Sequence, residues 1–361
     1  MHEFHRLQVR DVHHDTRDSV VLSLDVPDDM REAFRFQPGQ YLTFRQTLDG
    51  EECRRSYSIC SALQDEALRV SVKRVPQGLF STWANQTLAP GTELEVMRPS
   101  GRFTVQIDPT ASHHYLGIAS GSGITPVLSI LKSVLMGEPE SHFTLIYGNR
   151  ATGSIMFREE LHDLKDRFPD RFSIVHLLTR ESQDIDLFNG RIDGEKITRL
   201  FDRWIDIGSI DAAFICGPES MMLSSVAALK QAGLTPEQIK FELFTTDDST
   251  PRRRRAAEGV AAAGNGVLAH CEATVIVDGR QQTFDMPRSG ETVLDAGRRA
   301  GADLPYSCKA GVCSTCRAKV VEGEVEMDRC YGLEDYEVAR GYILTCQSYP
   351  LTDRLVVDYD Q

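Results

Sequence analysis

Three cysteines within nine positions, Cys308, Cys313 and Cys316, with a fourth at Cys346, constrain this chain more than any other feature. They read C-x4-C-x2-C, and 29 residues intervene before the last. Paired zinc knuckles use two short spacings, which the distant Cys346 fits poorly. The pattern matches the plant-type [2Fe–2S] run, in which four thiolates hold two irons; structural zinc and unligated thiols are the alternatives. Gly311 permits the close backbone approach that a cluster-wrapping loop needs. Cys330, with 13 residues intervening after Cys316, is a rival fourth ligand at a spacing that is not the plant-type one.

Nine cysteines in a 361-residue chain, with no export signal in "MHEFHRLQVRD", predict reduced thiols rather than a disulfide framework. Cys53, Cys60, Cys216, Cys271 and Cys330 are expected as buried or free thiols. No apolar run is long enough to cross a bilayer. A formal net charge of −13 argues against nucleic-acid binding. A cytoplasmic protein with no membrane or nucleic-acid partner is expected.

A chain this long exceeds one core, and its patterning divides it. Residues 1–107 read as antiparallel β structure: "SVVLSLDV" places Val20, Leu22, Leu24 and Val26 on one face, and "LRVSVK" sets Leu68, Val70 and Val72 against Arg69, Ser71 and Lys73. A small barrel or sandwich is expected. Across 108–245, strand candidates such as "YLGIAS", "FTLIYGN" and "FICG" alternate with helices, clearest in "SIMFREELHDLKDRF" and "PESMMLSSVAALKQAG". That alternation predicts a doubly wound parallel sheet. Residues 246–269, with the run Arg252–Arg255, read as a solvated linker. Residues 270–361 form a third unit, opening on a hairpin with an Asp-Gly turn and closing on "RLVVDY".

Two further stretches carry chemistry. In "CRRSYSICS", Arg55 has the charge for a pyrophosphate, Tyr57 the face for a flat ring and Ser58 a donor for a ring nitrogen. In "GIASGSGITPVLSIL", Gly121 and Gly123 offer backbone amides to a phosphate, with Thr125 expected as N-cap and Pro126 as first helical residue. This loop is neither G-x-G-x-x-G nor G-x-S-x-G, so Ser122 is a poor hydrolase nucleophile.

R-x-Y-S in an amino-terminal barrel, G-x-x-S at Gly78–Ser81 and "GSGITP" opening an α/β domain resemble the ferredoxin–NADP reductase family. The resemblance implies FAD held by Arg55, Tyr57 and Ser58, with Gly78 and Ser81 at its pyrophosphate and Lys73 and Glu242 near the flavin. It implies that Cys216, Gly217 and Pro218 lie at the nicotinamide. Tyr57, Ser58 and Cys216 then stand at the redox centre, and the fold is multi-domain α+β: flavin barrel, nicotinamide α/β sheet, β-grasp ferredoxin domain. Thr179 and Arg180, with Arg150, favour a ribose 2′-phosphate and hence NADPH; Glu181 argues for NADH.

The expected relay is hydride transfer from the nicotinamide to the flavin, then two single-electron steps through the cluster. No side chain need act as general acid or base; His13–His14 and His113–His114 are expected as exposed pairs. The domain order is similar to that of reductases feeding multicomponent oxygenases. "FQPGQ", "RRSYSIC", "LIYGNR", "GRIDGEK" and "DLPYSCKAGVCSTC" are similar to the reductases of bacterial phenylacetyl-CoA epoxidases. That implies electron delivery to a diiron oxygenase component. A steroid or ring hydroxylase is the other acceptor, and a redox-sensing regulator the alternative of another class. Residues 270–361 carry 16 acidic against 10 basic side chains, a surface able to steer a basic acceptor.

Overall fold

The computed structural model describes residues 3–245, 270–333 and 335–361. Glu3–Thr245 forms one compact unit and the described residues from 270 onward belong to a second. The expected linker at 246–269, with its arginines, lies outside the described residues.

The first unit begins with six antiparallel strands, β1 (Phe4–Thr16), β2 (Ser19–Asp25), β3 (Tyr41–Leu48), β4 (Glu51–Ser58), β5 (Leu68–Lys73) and β6 (Glu93–Met97), ordered β4-β3-β6-β1-β2-β5. An Ile59–Val70 bridge and the Cys60 amide on the Arg69 carbonyl, at 2.9 Å, bring the two edges together. The alternation in β2 and β5 does what period-2 patterning requires: Val20, Leu22, Leu24, Leu68, Val70 and Val72 share one core. The opposite face is not left to solvent. Val21 enters a second core shared with the α/β half, and Ser71 is buried as well. One helix, α1 (Leu79–Gln86), packs on this barrel.

Five parallel strands follow, β7 (His114–Ser120), β8 (His142–Asn149), β9 (Phe172–Leu178), β10 (Ala212–Pro218) and β11 (Ile239–Thr245), ordered β11-β10-β7-β8-β9. The order reverses at β7, so the crevice beyond its carboxyl end is where such sheets take ligands. The helices are α2 (Ile124–Gly137), α3 (Arg158–Arg167), α4 (Gly194–Phe201) and α5 (Glu219–Gln231), the last followed by Gly233 at φ +106°. The helix expected across 154–168 starts only at Arg158. Ile155, Met156 and Phe157 are core residues, and Phe157 is held at φ +56° with its amide donating to both Asp15 carboxylate oxygens at 3.0 Å. Burial and the carboxylate outweigh helix propensity there. His114 also departs from expectation: it is half-buried, with its ring nitrogens 2.9 and 2.8 Å from the Ser209 and Thr144 hydroxyls.

The second unit opens on a hairpin of β12 (His270–Val277) and β13 (Arg280–Pro287), turned by Asp278 and Gly279, both at positive φ. Helix α6 (Val293–Arg299) is capped by the Thr292 hydroxyl, which accepts the Asp295 amide at 3.2 Å. Then come β14 (Arg317–Glu322), β15 (Val325–Met327), β16 (Tyr342–Leu344), β17 (Ser348–Pro350) and β18 (Arg354–Asp358). The main sheet runs β13-β12-β18-β14-β16, and Val293, Leu294 and Ala296 of α6 share its core, the β-grasp arrangement.

Candidate functional site

Within the first unit, several of the expected flavin and nicotinamide residues meet across elements, Ser58 with Glu242, Gly121 near Lys73 and Gly123 against Cys216. The Ser58 hydroxyl, at the end of β4, donates to Glu242 Oε2 on β11 at 3.4 Å, joining barrel and parallel sheet. Tyr57, half-buried, stands 5.4 Å from Phe80 and 6.0 Å from Phe44, an aromatic wall beside the start of α1. Arg55 on the same strand is exposed, its guanidinium donating to the Arg54 carbonyl at 2.7 Å. Ser81 is buried; its hydroxyl accepts the Val75 amide at 3.1 Å and donates to the Gly78 carbonyl at 3.2 Å, so it shapes the loop into α1. A side chain on Gly78 would lie 2.5 Å from that hydroxyl.

The glycine turn after β7 approaches the same place. Gly121 is at φ +54°, its carbonyl accepting the Tyr147 hydroxyl at 2.9 Å, and a Cβ on it would come within 4.0 Å of Lys73 Nζ. Lys73 lies 3.9 Å from Asp18. Thr125 is not the N-cap. The helix begins at Ile124 with Gly123 before it, and the Thr125 hydroxyl donates to the Ser122 carbonyl at 3.0 Å. Gly123 packs so closely on β10 that a Cβ would stand 2.2 Å from the Cys216 carbonyl oxygen and 3.0 Å from the Gly217 nitrogen. Only hydrogen fits, so the chain enters helix there by a 3-10 turn over Gly121–Gly123 instead of a side-chain cap. Backbone amides exposed by such a cradle suit the phosphates and flat rings of FAD and a dinucleotide.

Cys216 pairs in register with Glu242 and is fully buried. Burial, and then the Glu242 charge, push its thiol well above its ordinary value, so it is a neutral packing group. Gly217 follows, where a Cβ would sit 2.6 Å from Met221 Cε; Pro218 precedes α5. Thr179 and Arg180 are exposed beyond β9, the Arg180 amide donating to the Arg150 carbonyl at 2.7 Å. Glu181 is drawn to Thr152, accepting its amide at 2.9 Å and its hydroxyl at 2.5 Å.

Burial pushes the Glu242 carboxyl up to about 8, with the Ser58 hydrogen bond opposing. The folded chain therefore holds this proton at pH values where an unfolded one has released it. The stability linked to it is fully present below pH 4.5 and lost as pH rises through about 8. Glu242→Gln is expected to remove this dependence: between roughly pH 5.5 and 8.5 the parent should lose about 3 kcal/mol relative to the variant. Paired thermal-denaturation curves check it, and parallel curves would refute it.

In the second unit, antiparallel pairing of Arg317 with Leu344 carries Cys346 to the cysteine loop. The Thr345 amide and hydroxyl both donate to the Cys316 carbonyl, at 3.1 and 3.0 Å, and the Tyr359 hydroxyl reaches Thr345 at 2.8 Å. Cys308 lies within hydrogen-bonding reach of Cys313 and Cys346, and Cys346 of Cys316. Hydrogen bonds from those neighbours and from the Ala310 and Val312 amides hold the Cys308 thiol well below its ordinary value. Lys309, Gly311 and Ser314 take positive φ, and a Cβ on Gly311 would meet Arg329 at 3.1 Å. Among the described residues no three or more His, Cys, Asp or Glu side chains are grouped so as to hold a metal ion; the cysteine contacts run in a chain from Cys313 to Cys308 to Cys346 to Cys316. Four soft thiols wrapped by backbone amides fit a two-iron cluster. Cys330 is exposed on a neighbouring turn. Thr345, Tyr359 and Tyr147 carry no motif, because each acts through a partner distant in sequence.

Three family models match: an oxidoreductase FAD-binding domain over residues 6–105, an oxidoreductase NAD-binding domain over 118–226, and a 2Fe-2S iron-sulfur cluster binding domain over 275–351. The chain is 45% identical over 360 residues to one component polypeptide of the 1,2-phenylacetyl-CoA epoxidase of Escherichia coli K12, covering 100% of this chain and 99% of that one. It is 34% identical to the ferredoxin reductase component of 3-ketosteroid-9-alpha-monooxygenase of Rhodococcus rhodochrous, covering 98% and 96%. In fold it is similar to phthalate dioxygenase reductase, with a TM-score of 0.61, 23% identity and 98% of each chain covered.

Proposed function

This chain belongs to the FAD-, nicotinamide- and [2Fe–2S]-binding reductase components of oxygenases, and we propose that it supplies electrons to the diiron oxygenase of a phenylacetyl-CoA epoxidase in phenylacetate breakdown. The identity of 45% along both full chains carries this assignment.

FAD, when bound, takes an electron pair as hydride from the nicotinamide, and the cluster passes electrons on singly. The protein's part is placement. Arg55 would pair with the pyrophosphate, with Gly78 and Ser81 near it, and Tyr57 and Ser58 would hold the ring. The amides of Gly121 and Gly123 take the nucleotide phosphates, while Cys216, Gly217 and Pro218 shape the nicotinamide floor. Thr179, Arg180 and Arg150 meet a 2′-phosphate, with Glu181 drawn aside by Thr152, which favours NADPH over NADH. Cys308, Cys313, Cys316 and Cys346 would hold the cluster, and the burial of Cys316 and Cys346 would keep water from those two ligands. No general acid or base is required.

No helix among the described residues is long and apolar enough to cross a membrane, and a cytoplasmic enzyme that binds neither membrane nor nucleic acid accords with the sequence. The 34% identity to the ketosteroid reductase keeps a steroid oxygenase as second acceptor. The test is NADPH-driven turnover with each purified oxygenase. Epoxidation of phenylacetyl-CoA is expected to depend on this reductase, and support of the steroid oxygenase alone would overturn the assignment.

A further inference from the structure

Helix α2, which starts at the glycine turn, carries beyond Thr125 in its first turn three buried polar residues, Ser129, Lys132 and Ser133, in an otherwise largely apolar run. Spaced i, i+3 and i+4, they share one face. All three reach the loop that leaves the flavin strand β4. The Ser129 hydroxyl donates to the Ser61 carbonyl at 2.6 Å, and Ser133 accepts the Leu63 amide at 3.1 Å. Lys132 Nζ donates to Asp65 Oδ2 at 2.6 Å and to Glu160 Oε1 of α3 at 2.5 Å. Arg69 of β5 closes the quartet on the same two carboxylates, at 3.4 and 2.9 Å. The Lys132 side chain is 5% exposed.

Two cations face two anions, so the desolvation of each is offset by its neighbours. Val21, Cys60, Phe103 and Val105 also pack between the halves, but apolar contact is non-directional and tolerates sliding. Hydrogen-bonded charges do not. One side of this bolt lies seven residues past Ser58, at Asp65; the other lies nine past Gly123, roughly 13 Å along the helix.

We propose that Lys132 is a positioning residue for hydride transfer, fixing the approach of the nicotinamide-binding half to the flavin-binding half. This rests on the placement of FAD at Tyr57–Ser58 and of the nicotinamide at Gly121–Gly123 and Cys216–Pro218. Misplacement of reacting groups by about 1 Å costs on the order of 10²-fold in rate.

The experiment uses the full-length, FAD- and cluster-loaded protein and follows flavin bleaching by NADPH in stopped flow. Three variants are compared: Lys132→Met, the charge-balanced double variant Lys132→Met with Glu160→Gln, and Lys132→Arg. The expected result is a limiting bleaching rate lowered about 10²-fold in both methionine variants. FAD content and the NADPH dissociation constant should stay near the parent's, the long-wavelength charge-transfer absorbance should weaken, and Lys132→Arg should recover most of the rate. Unchanged bleaching in a folded methionine variant overturns the inference. Loss of FAD or of the fold in both methionine variants also overturns it, by assigning the network to stability alone. If the parent itself fails to bleach with NADPH, the placement of the cofactors is what has failed.

Discussion

Replacing Cys346 by serine is expected to empty the second unit of its cluster and to lower NADPH-driven cytochrome c reduction by at least on the order of 10²-fold. Flavin bleaching by NADPH should stay at the parent rate. Cys346 is 5% exposed, against Cys308 and Cys316, and it is delivered there by the pairing of β14 with β16. A hydroxyl is a harder and far less acidic donor than a thiol, so it does not replace the thiolate on iron. Metal binding contributes folding free energy, so the second unit should also melt earlier than the parent's. Cys330→Ser is the control, because that thiol is exposed on a neighbouring turn; it should keep iron, colour and rate. Iron content, visible absorption and cytochrome c reduction together decide the matter. Full iron in Cys346→Ser, or its loss in Cys330→Ser, would remove Cys346 from the ligand set.

Gly123→Ala should cost ~3 kcal/mol of stability, the upper part of the overpacking range, and lower the limiting rate of flavin reduction about 10²-fold. The glycine sits at φ −61°, so alanine brings no backbone strain of its own. The penalty is contact. The added carbon would stand 2.2 Å from the Cys216 oxygen and 2.6 Å from its carbonyl carbon, both backbone atoms of β10. That strand is paired on both sides, with β11 and β7, so it cannot withdraw without opening the sheet. If β10 holds, α2 must retreat and take the glycine turn at Gly121–Gly123 with it. Gly153→Ala is the comparison: nothing lies within 4 Å of a Cβ there, and its stability change should stay within about 0.5 kcal/mol. Chemical denaturation and stopped-flow bleaching measure both effects. A stable, fully active Gly123→Ala would show that the close approach of helix and strand is not required.

Much of the architecture was legible because its signals are short-range. The Asp278–Gly279 turn, the alternation in β2 and β5, the strand–helix succession from β7 to β11 and the C-x4-C-x2-C run each declare themselves within a dozen residues. The errors came where a distant partner overrode a local preference. Thr125 looks like a helix cap, yet the cradle on β10 moves the helix start to Ile124. Residues 154–157 look helical, yet Asp15, far back in the barrel, captures the Phe157 amide.

By itself the sequence determined three kinds of domain and their order, and it singled out four cysteines as the expected ligands, since periodicity, turn chemistry and ligand spacing are properties of neighbouring residues. Tertiary structure alone decided which outward faces are covered, placing Val21 and Ser71 in the interior and drawing Ser58 to Glu242. It also set Lys132 between two carboxylates. The reason is physical: burial and charge pairing are settled by whatever lies across the interface, and that neighbour is dozens to nearly two hundred residues away along the chain.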